Sequence, residues 1–134
     1  GFSLDYQNFD EELAGLPGKY GPPGGALLLA RVDGAAAGAV ALRELEPGIA
    51  EMKRLYVRPA FRDRRTDKGL SIGRTLAAGI VEAARTLGHR RLRLDTISDK
   101  MGAAVKLYRS MGFIEIAPYY PSPMPGTVYM ELVL

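Results

Sequence analysis

The residues best suited to chemistry lie in the run Lys68-Gly69-Leu70-Ser71-Ile72-Gly73-Arg74. Small residues alternate there, at the start of a stretch in which Leu76, Ile80, Val81, Ala84 and Leu87 recur at helical spacing. The first amides of a helix have no acceptor inside it, and the helix dipole puts partial positive charge at the same end. Such a start can therefore hold an anion. Small side chains at 69, 71 and 73 let a ligand approach the backbone. Arg62, Arg64, Arg65, Lys68 and Arg74 surround it with positive charge. The Gly-Lys-Ser/Thr ending of a nucleotide-binding P-loop and the dinucleotide pattern G-x-G-x-x-G are both absent. With no cysteine in the chain, disulfides, thiolate metal sites and a cysteine nucleophile are excluded. The single histidine, His89, gives no basis for a histidine metal site, and none is expected. It follows Gly88, at the far end of the helix from the loop, and reads as structural or solvent-facing.

These residues must be positioned by a set of strands and helices. Asn8 to Leu16 reads as a short helix, with Asn8 able to cap it and Asp10, Glu11 and Glu12 suited to its positive end. The proline and glycine of "LPGKYGPPGG" stop it. Asp33-Gly34 between two apolar runs predicts a hairpin, and "IAEMKRLYVRP" a third strand ending at Pro59. The helix predicted from about Gly69 to Leu87 has Gly88 where a C′ residue belongs. "RRLRLDTI" alternates like a half-buried strand, and a second helix is predicted over roughly Lys100 to Met111, closed by Gly112. "FIEIA" and "TVYMELVL" finish as strands around the loop "PYYPSPMPG". The expected fold is α/β in the α+β sense: a mixed, mostly antiparallel sheet with flanking helices.

In this order, "EMKRLYVRPAFR", "KGLSIGRTLAAGIVEAARTLG", "RLRLDT" and "AAVKLYRSMGF" resemble the GCN5-related N-acetyltransferases, the GNAT superfamily, over about residues 26–134. The resemblance implies a splayed central pair of parallel strands and acetyl-CoA as co-substrate. It implies coenzyme binding by Lys68, Gly69, Leu70, Ser71, Ile72, Gly73 and Arg74 at the diphosphate, and by backbone groups of Leu55, Tyr56 and Val57 along the pantetheine arm, with Leu92 to Thr96 as the partner strand. Lys68 stands where the signature has Arg or Gln, Ser71 where it has its first Gly, and extra residues within Asp63 to Asp67 interrupt the approach. Tyr108 occupies the position whose hydroxyl protonates the departing thiolate. Glu51, six residues before Val57, has the spacing of a general-base glutamate, with pairing to Lys53 or Arg93 as the plain surface alternative. Met101 replaces an asparagine that often contacts the coenzyme.

The implied reaction is acetyl transfer to a primary amine, of a small molecule or peptide, by direct attack in a ternary complex. The alternative is a non-catalytic acyl-CoA-binding or regulatory module on the same fold. Tyr6, Tyr20, Tyr119, Tyr120 and Met124 are candidates to line the acceptor pocket. The chain opens almost where the family has already completed a strand and a helix, so those two elements are expected to be missing. An uncovered sheet edge would then favour a homodimer. At 134 residues a single domain is expected, and no apolar run approaches the roughly 20 residues of a membrane span. Without a basic-then-apolar leader at the start, a cytoplasmic location is expected. The formal charge of +3 and the short basic run with only Phe61 as an aromatic neighbour argue against nucleic acid.

Overall fold

The computed structural model describes residues 2–6, 25–66, 69–97, 102–121 and 124–134, with backbone alone for 2–6 and for Arg54. The helix expected over Asn8 to Leu16, together with Tyr20, Lys68 and Met101, lies outside the described residues.

Seven strands form one sheet: β1 (Phe2–Tyr6), β2 (Ala26–Val32), β3 (Ala35–Glu46), β4 (Ile49–Val57), β5 (Arg91–Ile97), β6 (Ile114–Ile116) and β7 (Thr127–Val133). Their order across the sheet is β1-β2-β3-β4-β5-β7-β6. Two helices complete the described fold, α1 (Ile72–Thr86) and α2 (Ala103–Ser110). The expected absence of a first strand is corrected: Phe2–Tyr6 pairs antiparallel with β2, from Phe2 opposite Val32 to Tyr6 opposite Leu28. A five-residue backbone match at the extreme start left no pattern strong enough to read. The β2 edge is thereby covered, and β1 becomes the terminal strand of the described sheet.

The turn between β2 and β3 is built as expected. Asp33 and Gly34 both have positive φ, the conformation that lets a two-residue loop follow the twist of its strands. Helix α1 buries Ile72, Leu76, Ala77, Ile80, Val81, Ala83 and Ala84 and packs against β2, β3 and β4. Leu87, one step past its end, is half-exposed as the C-cap. Leu28, Val40, Leu42, Met52, Leu92, Leu94 and Met130 complete the core from the sheet.

Two irregularities in β4 shape the site. Ala39 pairs with Tyr56 and Ala41 with Lys53, so Arg54 and Leu55 of β4 oppose the single residue Val40. Such a bulge bends the strand and increases its local twist. Just beyond it β3 passes very close: a Cβ on Gly38 would lie 2.6 Å from the carbonyl oxygen of Tyr56, so only glycine fits there. On its other side β4 pairs in parallel with β5 at three positions, Ile49 with Arg91, Ala50 with Leu92 and Glu51 with Arg93. The two strands pair no further, which is the splay expected of the central pair.

Candidate active site

Where β4 and β5 part, a cavity of about 190 Å³ opens, lined by Met52, Lys53, Leu55, Leu94, Asp95, Thr96 and Tyr108. Strand alternation sends Met52 and Leu94 to the face covered by α1, and Lys53 and Asp95 to the opposite face. The cavity thus has an apolar wall and a polar one.

Tyr108 reaches it from α2, of which it is the buried residue. Its ring packs edge-on against Phe113 with centroids 5.6 Å apart, and its carbonyl accepts the amides of Met111 and Phe113. Burial pushes its phenol up to about 12. The hydroxyl therefore stays protonated at any physiological pH, the state a proton donor needs.

The polar wall is a network. Asp95 accepts from the Lys53 ammonium at 3.0 Å and from the Tyr120 hydroxyl. Burial alone would raise the Asp95 carboxyl, but these two bonds outweigh it and hold it below the usual carboxylate range. Burial would lower Lys53, yet Asp95 and Glu51 raise it, and its ammonium also sits 5.3 Å from the centre of the Tyr120 ring. Tyr120 is itself pushed up to about 12 by burial and by its bond to Asp95. Next to this group, Glu51 is fully buried, one oxygen bonded to Arg43 at 2.7 Å and the other to the Tyr119 hydroxyl at 2.5 Å. Burial and the Glu51 carboxylate raise Tyr119 strongly. Tyr119, Tyr120 and Tyr129 pack edge to face, all with centroids 5.2 Å apart, and the Tyr129 hydroxyl donates to the Tyr120 carbonyl. The loop between β6 and β7 is in this way fastened over β4 and β5.

Of the residues expected at the site, Leu55 and Tyr108 line the cavity directly. Tyr56 is exposed beyond the bulge, with the Arg62 guanidinium 5.7 Å from its ring, and the Val57 carbonyl accepts from Arg62 at 3.0 Å. Glu51 is not on the cavity wall. Its pairing is with Arg43 and Tyr119, with Lys53 farther off at 3.7 Å. Tyr119 and Tyr120 join the polar network, whereas Met124 is exposed. His89 is buried at the far end of α1, its amide bonded to the Ala84 carbonyl.

At the start of α1 the amides divide into two groups. Gly69 donates to the Thr66 carbonyl and Leu70 to the Thr66 hydroxyl, while Arg74 donates to the Ser71 hydroxyl at 3.1 Å. Those three are committed within the protein. Ile72 and Gly73, the first two residues of the helix, have no acceptor in it. A Cβ on Gly73 would meet only the Val57 side chain, at 3.8 Å. The Arg74 guanidinium donates to Ser110 at 2.7 Å, tying α1 to the end of α2. The interrupting charged segment is closed by a bridge between Arg65 and Ser71, with the Thr66 amide on the Leu70 carbonyl.

Asp95 is the polar-wall residue that sequence reasoning passed over. The signal was present: in "RRLRLDTI" the alternation puts Arg93 and Asp95 on one face, as "AEMK" does Glu51 and Lys53.

Residues 3–113 match the Acetyltransferase (GNAT) family model. An uncharacterised N-acetyltransferase of Schizosaccharomyces pombe is 46% identical over 134 residues, covering 98% of this chain and 78% of the relative. Among solved structures, a Klebsiella pneumoniae protein provisionally assigned as an acyl-CoA N-acyltransferase is 26% identical, with a TM-score of 0.78, covering 99% of this chain and 97% of that one. A GNAT family acetyltransferase from Elizabethkingia anophelis with acetyl-CoA bound shares the fold at 19% identity and a TM-score of 0.71, covering 99% and 98% of the two chains.

Proposed function

Because the chain belongs to the acetyltransferase (GNAT) family, we propose that it transfers the acetyl group of acetyl-CoA to a primary amine by direct attack in a ternary complex. The observation that carries this reading is the end of β4–β5 pairing after Glu51 and Arg93, with Tyr108 on the wall of the cavity so opened. Acetyl-CoA bound in the Elizabethkingia relative supports the choice of co-substrate.

The residues present fit such a ligand. Beyond the three paired positions, β4 and β5 present backbone groups to each other across a gap, and an extended pantetheine arm can bond to them as an added strand does. Leu55, Tyr56 and Val57 supply one side, with the Val57 carbonyl shared with Arg62. The amides of Ile72 and Gly73 are available to the diphosphate. Ser71 and Arg74 flank them, Gly69 and Leu70 shape the turn, and Lys68, which precedes Gly69 in the sequence, lies outside the described residues. When bound, the coenzyme supplies an activated thioester.

Around that thioester the chain does three things. The bulge at Arg54 and Leu55 takes backbone groups out of the ladder with β3, and an amide so freed would stabilise negative charge developing on a thioester carbonyl bound against it. Tyr108 gives its proton to the sulfur as the C–S bond breaks. The polar wall receives the amine, which must lose a proton before it can attack. Glu51 stands behind this wall, its carboxylate bonded to Arg43 and to the Tyr119 hydroxyl, and supports the wall from there. No cysteine is available for an acyl-enzyme.

Calorimetric titration with acetyl-CoA, followed by a screen of primary amines and peptide N-termini for thiol release, tests the reading. Saturable binding in the roughly 1 μM to 1 mM range, with amine-dependent release, is expected. Binding without release for any amine would favour the non-catalytic acyl-CoA module, and no binding would overturn both.

A further inference from the structure

We propose that Asp95 is the residue that binds the acceptor's ammonium group and takes its proton, with Lys53 and Tyr120 holding the carboxylate in place. The inference rests on the acetyltransferase reading and adds the acceptor contact to it.

Two carboxylates lie near the point where the strands part, and their surroundings differ. Glu51 is fully buried, both oxygens are bonded, and it is absent from the cavity wall. Asp95 is on that wall with Tyr108. Its Oδ1 accepts from Lys53 and its Oδ2 from Tyr120, and the residue's own backbone amide adds a further bond. A carboxylate offers about four lone-pair positions, so it can accept a further donor. The Lys53 ammonium illustrates what the site holds: a primary alkylammonium, 3.0 Å from Asp95 and 5.3 Å from the centre of the Tyr120 ring. An acceptor of the same chemistry, a primary amine on a slender alkyl stem, meets the same carboxylate from the cavity side. It competes there with Lys53 for Oδ1.

The step balances without an additional reagent. The acceptor ammonium passes one proton to Asp95 and on to solvent. The free amine nitrogen forms a bond to the thioester carbon, the C–S bond breaks, and the sulfur takes the Tyr108 proton, which solvent returns. The nitrogen's second proton follows the first when the tetrahedral adduct collapses to the amide. The groups facing Asp95 are Lys53 and Glu51 from β4, Arg93 from its own strand, Tyr129 opposite it on β7, Tyr119 and Tyr120 from the loop, and Tyr108 across the cavity.

The test compares two acceptors at pH 7.5: propylamine, which is a cation, and methoxyamine, which is uncharged. In Asp95→Asn, kcat/KM for propylamine is expected to fall roughly 10- to 100-fold. For methoxyamine it should fall far less, and acetyl-CoA affinity should stay within about twofold. Asp95→Glu should recover part of the propylamine activity. Lys53→Met leaves Tyr120 to hold the carboxylate and removes the competing ammonium, so KM for propylamine should fall. Equal losses for both acceptors, unchanged propylamine kinetics in Asp95→Asn, or a higher propylamine KM in Lys53→Met would overturn the assignment. A wild-type protein that binds acetyl-CoA yet acetylates neither amine would instead sink the transferase reading beneath it.

Discussion

At position 108 one ring serves packing and its hydroxyl serves chemistry. The ring fixes α2 against Phe113, and the same burial that anchors it raises the phenol to about 12. Tyr108→Phe keeps the ring and removes the proton. Under the proposed mechanism kcat should fall by about 100-fold with acetyl-CoA affinity retained, as steady-state kinetics beside calorimetry would show. A matching loss of thermal stability would mean that packing, not proton transfer, is its main contribution. The residue scale also shows where sequence reasoning reaches its limit. "AAVKLYRSMGF" marks Tyr108 by position in a motif, so its place on the cavity wall was legible. Glu51 was legible as a strand glutamate, but not its enclosure, because Arg43 and Tyr119 come from segments 8 and 68 residues away along the chain.

The elements explain a departure from the family signature. Ser71 stands where the signature has glycine, and its hydroxyl accepts from the Arg74 amide as the N-cap of α1. The glycine's freedom is exchanged for a cap, and one amide of the helix start is withdrawn from the ligand. Ser71→Ala should destabilise the fold by about 1 kcal/mol, a drop of about 4 °C in melting temperature. Ser71→Gly should cost only a few tenths of that and match or improve acetyl-CoA affinity, since the Arg74 amide is released. Thermal melts with calorimetric titration of both variants check this, and weaker coenzyme binding by Ser71→Gly would argue against the Ile72–Gly73 amides as the diphosphate site. The strands from β2 onward and the main helix were legible because their periodicities and turn signals are strong, whereas β1 was not. The bulge at Arg54 and Leu55 was not, since an extra residue in a strand leaves the apolar pattern almost unchanged and shows itself only in the register with β3.

For the whole molecule, the polar network makes stability depend on pH at both extremes. Tyr108 and Tyr120 are raised to about 12, Tyr119 is raised further, and Lys53 is raised by Asp95 and Glu51. An unfolded tyrosine ionises near pH 10, so between about pH 10 and 12 the folded chain binds more protons than the unfolded one. Stability must then fall as pH rises through that window. On the acid side, Asp95 and Glu131 are held low, the latter by Arg93 and Arg91 against the effect of burial. Their contribution is complete above the ordinary carboxylate range and is lost as pH falls through their folded values. Denaturant titrations across the pH range should give a plateau with both edges. Tyr119→Phe and Tyr120→Phe should soften the alkaline edge, and an unchanged edge in the double variant would refute the network's part in it. Among the described residues, no helix is long and apolar enough to cross a membrane.

The order of strands and helices from β2 onward, the Asp33-Gly34 turn, the small-residue start of α1 and the place of Tyr108 in its motif were settled by the amino acids in line, because each depends on local sequence or on a repeating period. The splay after Glu51 and Arg93, the fastening of the β6–β7 loop by Tyr119 and Tyr120, and the choice between two carboxylates were decided by the tertiary structure. They depend on which distant segments become neighbours, and so on which charges are buried and which face the cavity.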